Sequence, residues 1–155
     1  MRITKRTNIA IRLLMFCTAH QGRLVTKHEI AARCNASENH LAQVINQLAQ
    51  LGVIHTQRGR NGGLNLSRSA DEICIGDVFR QVEGGLPMVE CFADVDNTCP
   101  LVEACRLRDA LSRAGEAFYS ALDGVTLESM TCDNFDLQRI LAPVSCPGPA
   151  VAAHA

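Results

Sequence analysis

Apolar residues are dense from Asn8 to His20, at a spacing that predicts a mostly buried helix. The apolar positions of this segment are Ile9, Ile11, Leu13, Leu14, Met15 and Cys17. Thr7 or Asn8 can cap such a helix, since a short polar side chain accepts the free backbone N–H groups of the first turn. The chain therefore opens on a helix that contributes to the core.

Two shorter helices are predicted next, and a tight turn joins them. Residues 27–34 follow Thr26, and residues 38–51 follow Ser37, so each segment has a good N-cap. The second segment carries an apolar stripe at helical spacing, formed by Leu41, Val44, Ile45 and Leu48. This arrangement is typical of the helix-turn-helix motif.

A β-hairpin is predicted directly after the second short helix. Its arms are Val53–Gln57 and Leu64–Leu66, and three glycines in the tip "RGRNGG" permit the turn. A hairpin in this position is the wing of a winged helix-turn-helix domain. The segment "ICIGDVFRQVE" is expected to add a short strand and a helix, which close a domain over residues 1–84.

Further along, apolar residues step by three or four on a predicted helix from about Leu101 to Leu122. They are Leu107, Leu111, Ala114, Phe118 and Ala121. A lone helix of this length cannot bury its stripe in a small domain, so we expect it to pair with a second copy of the chain. Residues 85–131 are then a second unit, and residues 132–155 are expected to be largely disordered because they end in a Pro/Ala-rich tail. The predicted fold class is mainly α with a small β wing.

The net charge of −1 conceals two halves of opposite sign. Residues 1–70 carry ten Lys and Arg against two acids, and residues 71–155 carry five Arg against fourteen acids. A basic half that also contains a helix-turn-helix and a basic wing favours binding to double-stranded DNA over simple solubility.

The predicted DNA contacts fall into three groups. The exposed side of the second short helix presents polar groups that can bond to base edges: Glu38, Asn39, His40 and Gln43. The wing tip offers Arg58, Arg60 and Asn61, and arginine is favoured in a minor groove. Near the N-terminus, cations can meet phosphates: Arg2, Lys5, Arg6 and Arg12.

The eight cysteines bear on both the compartment and the chemistry. Basic residues ahead of an apolar run imitate a signal peptide, but Arg12 interrupts the run and no clean cleavage site follows. No apolar stretch is long enough to span a membrane. We therefore expect a cytoplasmic protein, in which clustered thiols are more often metal ligands or redox groups than disulfides. Cys17, Cys34 and Cys74 lie on apolar faces and are expected to be core residues, whereas Cys132 and Cys146 are ambiguous.

Three thiols are crowded into one segment: Cys91, Cys99 and Cys105, separated by seven and then five residues. Zinc sites commonly use close pairs such as C-x₂-C, and the chain has none. The wider loops suit an iron–sulfur cluster, with three incidental reduced cysteines as the weaker alternative. Pro100 can open the long helix, which would then carry Cys105 on its next turns.

Several stretches together resemble the BadM/Rrf-type family of bacterial winged-helix regulators. They are "ITKRTNIAIR", "RGRNGGLNL", "IGDVFRQVE" and "NTCPLVEACRL", and the similarity covers about residues 1–130. The resemblance implies a homodimer with one cluster in each subunit, 4Fe-4S in preference to 2Fe-2S, bound by Cys91, Cys99 and Cys105. Members with an aspartate ligand on the first helix would place it at position 8, where this chain has Asn8, so the fourth ligand stays open.

The resemblance also implies a function. Within the family the motifs are most similar to those of the nitric-oxide-sensitive repressors, with the iron-responsive regulators next. We expect a repressor that releases operator DNA when its cluster is nitrosylated. The alternatives are a regulator of the same fold that senses iron or cluster status, and one that senses redox state through thiols alone. An enzyme is not expected, because no catalytic dyad or nucleotide-binding loop is present.

Overall fold

The computed structural model describes residues 3–83, 92 and 97–141. Within these ranges the chain forms seven α-helices and one two-stranded antiparallel sheet. The elements are α1 (Lys5–Ala19), α2 (Lys27–Cys34), α3 (Glu38–Gln50), β1 (Ile54–Gln57), β2 (Gly63–Leu66), α4 (Ile75–Glu83), α5 (Arg106–Asp123), α6 (Leu127–Thr131) and α7 (Phe135–Leu141). None of the helices in the described ranges is both long and apolar enough to cross a membrane. The predicted class, mainly α with a small β wing, is confirmed.

Helix α1 is the centre of the core. Its apolar side chains are buried on several faces, and Leu13 and Leu14 are completely inaccessible to solvent. The helix begins earlier than predicted, since Thr4 is the N-cap and its hydroxyl accepts the backbone N–H of Thr7. Thr7 is fully buried inside the first turn, so it cannot serve as the cap.

Helices α2 and α3 form the predicted helix-turn-helix. Thr26 and Glu29 make a reciprocal capping box at the start of α2, and Ser37 caps α3. Asn35 ends α2 with a φ of 48°, a left-handed conformation that asparagine tolerates and that turns the chain sharply toward α3. Both predicted caps are confirmed.

The wing is a short hairpin whose base is fixed to the rest of the domain. Strands β1 and β2 pair in the register Ile54↔Leu66, and Val25 exchanges backbone hydrogen bonds of 2.9 and 2.8 Å with Leu64. At the tip, Gly59 has a φ of +113°, and a Cβ on Gly62 would overlap the carbonyl oxygen of Gln57. These two glycines explain why the tip is glycine-rich.

The segment after the wing closes the domain in a different way from the prediction. Cys74 forms a single β-bridge with Thr126 in place of a strand, and α4 begins immediately afterwards. The backbone N–H of Ile75 donates to the carbonyl of Val125 at 2.9 Å, and that of Leu127 donates to Ile73 at 2.9 Å. The far end of α5 is therefore joined to the first domain.

Helix α5 begins later than predicted. Residues Val102–Ala104 form one turn of 3₁₀-helix, and Cys105 has an extended backbone with φ −86° and ψ 100°. The regular helix starts at Arg106, so Pro100 lies in a turn well before it and Cys105 precedes the helix. The prediction that Cys105 lies on the helix is wrong, because its ψ angle interrupts the helical path.

The C-terminal part is more ordered than its composition suggested. Helix α7 occupies residues 135–141 of the segment 132–155, which was predicted to be largely disordered. Leu127 in α6 and Leu141 in α7 are buried in the same core as α1. The expectation of disorder therefore fails for residues 135–141, because Leu141 packs into the core around α1. Residues 142–155 lie outside the described ranges.

Candidate nucleic-acid interface and cysteine site

Helix α3 presents a polar face to solvent. Asn39, His40 and Gln43 are exposed, whereas Leu41 and Val44 on the other side are buried against α1 and α2. The ring Nδ1 of His40 lies 2.7 Å from the Ser37 hydroxyl, which orients the imidazole at the start of the helix. Three of the four predicted base-reading side chains are thus on one accessible surface.

Glu38 differs from the other three predicted readers. Its carboxylate is paired with Lys27 Nζ and with His28 Nδ1, each at 3.0 Å, and both partners belong to the first turn of α2. The hydrogen bond from His28 and the charge of Lys27 hold the pKa of Glu38 below its ordinary value. In this arrangement Glu38 links α2 to α3, a role that the sequence of α3 alone does not reveal.

The start of α1 borders α3. Lys5 and Arg6 are exposed and line a cleft of about 590 Å³ together with His40, Gln43 and Gln81. The cleft joins α1, α3 and the last turns of α4, so cations and amide groups share one surface. The glutamine contributed by α4 was not anticipated, because nothing in its local sequence indicates that α4 approaches α3.

Of the other two cations predicted near the N-terminus, the structure describes only Arg12. Arg12 donates to the carbonyl of Cys34 at 3.1 Å and so satisfies the C-terminal end of α2. Arg2 lies outside the described residues. On the wing, Arg58, Arg60 and Asn61 are all exposed, as expected of groups that meet a ligand beyond the protein surface.

Two of the three clustered thiols lie close to the start of α5. Cys99 and Cys105 are half-buried and reduced, and Cys91 lies outside the described residues. The backbone N–H of Cys99 donates to the Asn97 side chain at 3.1 Å, and the carbonyl of Cys105 accepts from Arg108 at 3.1 Å. Such thiols, neither sealed in the core nor joined in disulfides, fit the donor chemistry of an iron–sulfur cluster.

A ring contact connects the neighbourhood of Cys91 with that of Cys105. Phe92 is the residue that follows Cys91, and the guanidinium of Arg108 lies 5.7 Å from the centre of its ring. Arg108 is three residues beyond Cys105 and is bonded to it through the backbone. The covalent neighbour of the first thiol is therefore near the start of α5.

Asn8 is exposed on α1, in a surface cleft of about 580 Å³ that Arg12 and Asn35 also line. The cleft opens toward the turn between α2 and α3. The amide of Asn8 is a weaker iron donor than the carboxylate that some family members are expected to have at this position.

The other described cysteines divide into core and surface groups. Cys17 and Cys34 are buried, which confirms the predicted core role. Burial, with a contribution from Cys34, raises the pKa of Cys17 to about 12, and burial also raises that of Cys34. Cys74 is only half-buried, and its thiol donates to the carbonyl of Asp123 at 3.5 Å, so its predicted core role is incomplete.

One further group of possible ligands exists among the described residues. Ligand atoms of Cys74, Asp77 and Asp123 lie within 4.8 Å of one another. Arg80 is paired with both carboxylates, and its hydrogen bonds to Asp123 hold the pKa of that carboxyl below the ordinary value. The arginine already pairs with both carboxylates, which argues for a brace between α4 and α5.

A winged helix-turn-helix combined with thiols just before a long helix, here α5, has counterparts among known proteins. The family described as Rrf2, iron-dependent transcriptional regulator, matches residues 3–133. This chain belongs to the Rrf2 family. The HTH-type transcriptional regulator NsrR of Geobacillus kaustophilus (strain HTA426) is 43% identical over 142 residues, which cover 91% of this chain and 97% of that protein.

Two other known proteins are also similar to this chain. Protein aau3 of Rhizobium meliloti (strain 1021) is 42% identical over 130 residues, which cover 84% of both chains. The crystal structure of the oxidized form of Staphylococcus aureus CymR has a TM-score of 0.65 and 25% sequence identity, and it covers 84% of this chain and 96% of that one. The Rrf2 assignment confirms the predicted family and fold, and it makes this protein a DNA-binding transcriptional regulator rather than an enzyme.

Proposed function

We propose that this Rrf2 protein is a homodimeric repressor of the NsrR type, which binds operator DNA and releases it when nitric oxide reacts with an iron–sulfur cluster. The observation that carries the proposal is the position of Cys99 and Cys105, two half-buried thiols directly ahead of α5 in a chain that is 43% identical to an NsrR. Because these thiols precede α5, a change in their coordination would act directly on the start of that helix.

DNA recognition is assigned to α3 and the wing. Asn39, His40 and Gln43 can reach base edges in a major groove, and each well-made contact is worth about 1–3 kcal/mol of discrimination. Arg58 and Arg60 extend from the wing toward the adjacent minor groove or phosphates. Two copies must place their α3 helices about 34 Å apart to read successive major grooves.

The cluster is assigned to Cys91, Cys99 and Cys105, with 4Fe-4S as the proposed type and the fourth ligand left open. When bound, it supplies iron that nitric oxide nitrosylates. The three thiolates would hold the cluster beside the start of α5 and so constrain that end of the helix. Loss of that constraint changes the angle of α5 and the spacing of the two α3 helices, which couples the signal to DNA affinity.

The test is an anaerobic titration. Protein purified without oxygen is expected to be brown and to contain iron and sulfide, and its affinity for a duplex selected from a randomised pool is expected to fall on addition of nitric oxide. Colourless, iron-free protein that binds the duplex equally well with and without the gas would refute the cluster mechanism.

A pair of cysteine variants tests the ligand assignment. Cys99→Ala is expected to lose iron, while its circular dichroism and thermal unfolding stay close to those of iron-free wild type, because the thiol is half-buried and outside the core. Cys74→Ala is the matched control, since Cys74 is also half-buried but lies beside Asp123 at the opposite end of α5. Equal iron content in the two variants would contradict the assignment.

Two alternative functions remain, and the same titration distinguishes them from the proposed one. An iron-responsive regulator would lose DNA affinity with an iron chelator and would not need nitric oxide; the family description as iron-dependent favours it. A thiol-only regulator is favoured by the similarity to CymR, a protein whose oxidized form has been crystallised. It would respond to peroxide while containing neither iron nor sulfide.

A further inference from the structure

Glu38 is the first residue of α3, yet both oxygens of its carboxylate are bonded to α2. Oε2 lies 3.0 Å from Lys27 Nζ, and Oε1 lies 3.0 Å from His28 Nδ1. A carboxylate reads a base by accepting a hydrogen bond from the amino group of cytosine. Here each oxygen already accepts from a side chain of α2, so Glu38 is directed at the neighbouring helix rather than outward from the protein.

The two partners of Glu38 lie where α2 is expected to meet the DNA backbone. Lys27 and His28 are the first two residues of α2, and 43% and 86% of their side-chain surfaces are exposed. In a helix-turn-helix, the second helix places its N-terminal residues at base edges while the first helix crosses the backbone. A cation and a ring nitrogen at this position can therefore contact a phosphate. Neither residue was among the DNA contacts predicted from the sequence.

The charge of Glu38 matters as much as its hydrogen bonds. Hydrogen bonds from His28 and Lys27, together with the charge of Lys27, hold the pKa of Glu38 below its ordinary value, so the carboxylate is ionised at neutral pH. An ionised acid at the start of α3 repels phosphates unless a cation compensates it. Lys27 provides that compensation at 3.0 Å. The start of the helix-turn-helix therefore holds a paired cation in a defined position in place of an uncompensated one.

We propose that Glu38 is a specificity-determining residue that acts through α2, because it holds Lys27 and His28 in register with the base-reading side chains of α3. A phosphate contact carries no sequence information by itself. Held by Glu38, the contact strengthens binding at the correct site more than at an arbitrary duplex, and the carboxylate weakens indiscriminate attraction to phosphates. The inference rests on the proposed assignment of DNA recognition to α3, but not on the cluster.

The experiment compares binding to a selected and to an arbitrary duplex. Dissociation constants of the anaerobically isolated protein for the selected duplex and for one of scrambled sequence are measured by fluorescence anisotropy at several salt concentrations. Glu38→Gln keeps the size of the side chain but removes the charge. We expect the ratio of the scrambled to the selected dissociation constant to fall about fivefold, chiefly because the scrambled duplex binds more tightly, and the salt slope on that duplex to steepen by about one.

Further variants show whether Glu38 acts through α2. Lys27→Ala combined with His28→Ala removes both partners and is expected to lower the same ratio, which tests the inference independently of Glu38→Gln. In that background, Glu38→Gln is expected to lower the ratio no further. Glu29→Gln is the matched control, since Glu29 is also an acid in the first turn of α2, is 39% exposed and pairs at 3.0 Å with Arg23 rather than with α3. It should leave the ratio unchanged.

Selection from a randomised pool with Glu38→Gln completes the test. Base preferences like those of the wild type are expected, whereas a preference altered at a single base pair would show that Glu38 reads that base and would overturn the inference. An unchanged ratio also refutes it, as does an undiminished effect of Glu38→Gln in the background without Lys27 and His28. A wild type that selects no duplex refutes the proposed function together with the inference. A wild type that selects a duplex but ignores nitric oxide refutes only the cluster mechanism, and the ratio still decides the role of Glu38.

Discussion

Helices α3 and α5 are both amphipathic, but their apolar sides differ in how far they are buried. On α3, Leu41, Val44 and Leu48 are all buried by α1, α2 and the wing. On α5, which is longer, the only residue that is buried is Gly115, and Leu107 keeps 65% of its surface exposed. The apolar side of α3 is therefore buried within one chain, whereas the described residues leave part of the apolar side of α5 exposed.

The difference shows which interactions hold each part of the molecule. Phe118 at the far end of α5 packs against Phe79 of α4, with ring centres 5.9 Å apart, so that end is supported within the chain. Nearer the thiols, the described residues leave Leu107 exposed and Leu111 half-buried. In the proposed dimer this part of α5 meets its partner, next to the proposed cluster.

The largest expected effect is a loss of stability when a buried apolar residue of α3 is truncated. Leu48→Ala removes a fully buried side chain and leaves a cavity, so the free energy of unfolding is expected to fall by about 2–5 kcal/mol. Urea unfolding of the reduced, iron-free protein measures it. Gln50→Ala, exposed on the same helix, should change stability by less than about 0.5 kcal/mol. Similar losses in the two variants would contradict the description of the α3 core.

The next effect concerns the uncovered stripe of α5. Leu111→Asp places a charge on a face that the proposed dimer must bury, so the dimer is expected to dissociate about 100-fold more readily. Sedimentation velocity over a concentration series measures the change. Arg113→Asp, on the opposite side of the helix, is the control. A dimer that tolerates the Leu111 variant would place the subunit interface elsewhere.

A smaller effect is expected at the wing. Arg60→Ala removes one exposed cation from the tip, which should weaken operator binding by about 1–3 kcal/mol and reduce the salt slope by about one. Fluorescence anisotropy at several salt concentrations measures both quantities. Arg68→Ala, an exposed arginine beyond the hairpin, serves as the control. Equal losses in the two variants would mean that only general charge matters.

The smallest effect concerns the capping box of α2. The hydrogen bonds from Thr26 and Arg23 lower the pKa of Glu29 from 4.5 to about 2. Its contribution to stability is therefore complete above about pH 4.5 and is lost as the pH falls toward 2. Because the carboxylate is 39% exposed, we expect Glu29→Gln to remove only a few tenths of a kcal/mol of this pH dependence.

Acid titration of stability measures the contribution of Glu29, with Glu128→Gln as the control because Glu128 is exposed on α6. An unchanged pH dependence in Glu29→Gln would show that ionisation of Glu29 contributes nothing to stability.

Local patterns predicted the elements whose determinants are local. The caps at Thr26 and Ser37, the stripe of α3 and the glycine-rich wing all depend on residues a few positions apart, and these features are confirmed. The features that were missed depend on partners far along the chain. Thr4 replaces Thr7 as the first cap while Glu83, 79 residues away, bonds to its backbone.

The candidate site shows the same division. Exposure of Asn39, Gln43 and the wing arginines follows from periodicity and turn chemistry, which are visible in the sequence. The pairing of Glu38 with Lys27 and His28 depends on the angle between α2 and α3, which periodicity does not specify. The start of α5 was misplaced because Pro100 is a favourable first helical residue, yet the extended backbone of Cys105 delays the regular helix to Arg106.

The attachment of α5 to α4 has a mechanical consequence. Arg80 donates a hydrogen bond of 2.8 Å to Asp123, the last residue of α5, and the backbone N–H of Ile75 donates to the carbonyl of Val125 just beyond it. These bonds fix the C-terminal end of α5 to α4. Eighteen residues at about 1.5 Å each give a lever of roughly 27 Å. A tilt of about 5° about the fixed end moves Arg106, at the other end of α5, by about 2 Å, close to the hydrogen-to-acceptor distance of a hydrogen bond. In the proposed dimer, a small movement beside the thiols would therefore accompany a small tilt of the helix-turn-helix domain at the other end of α5.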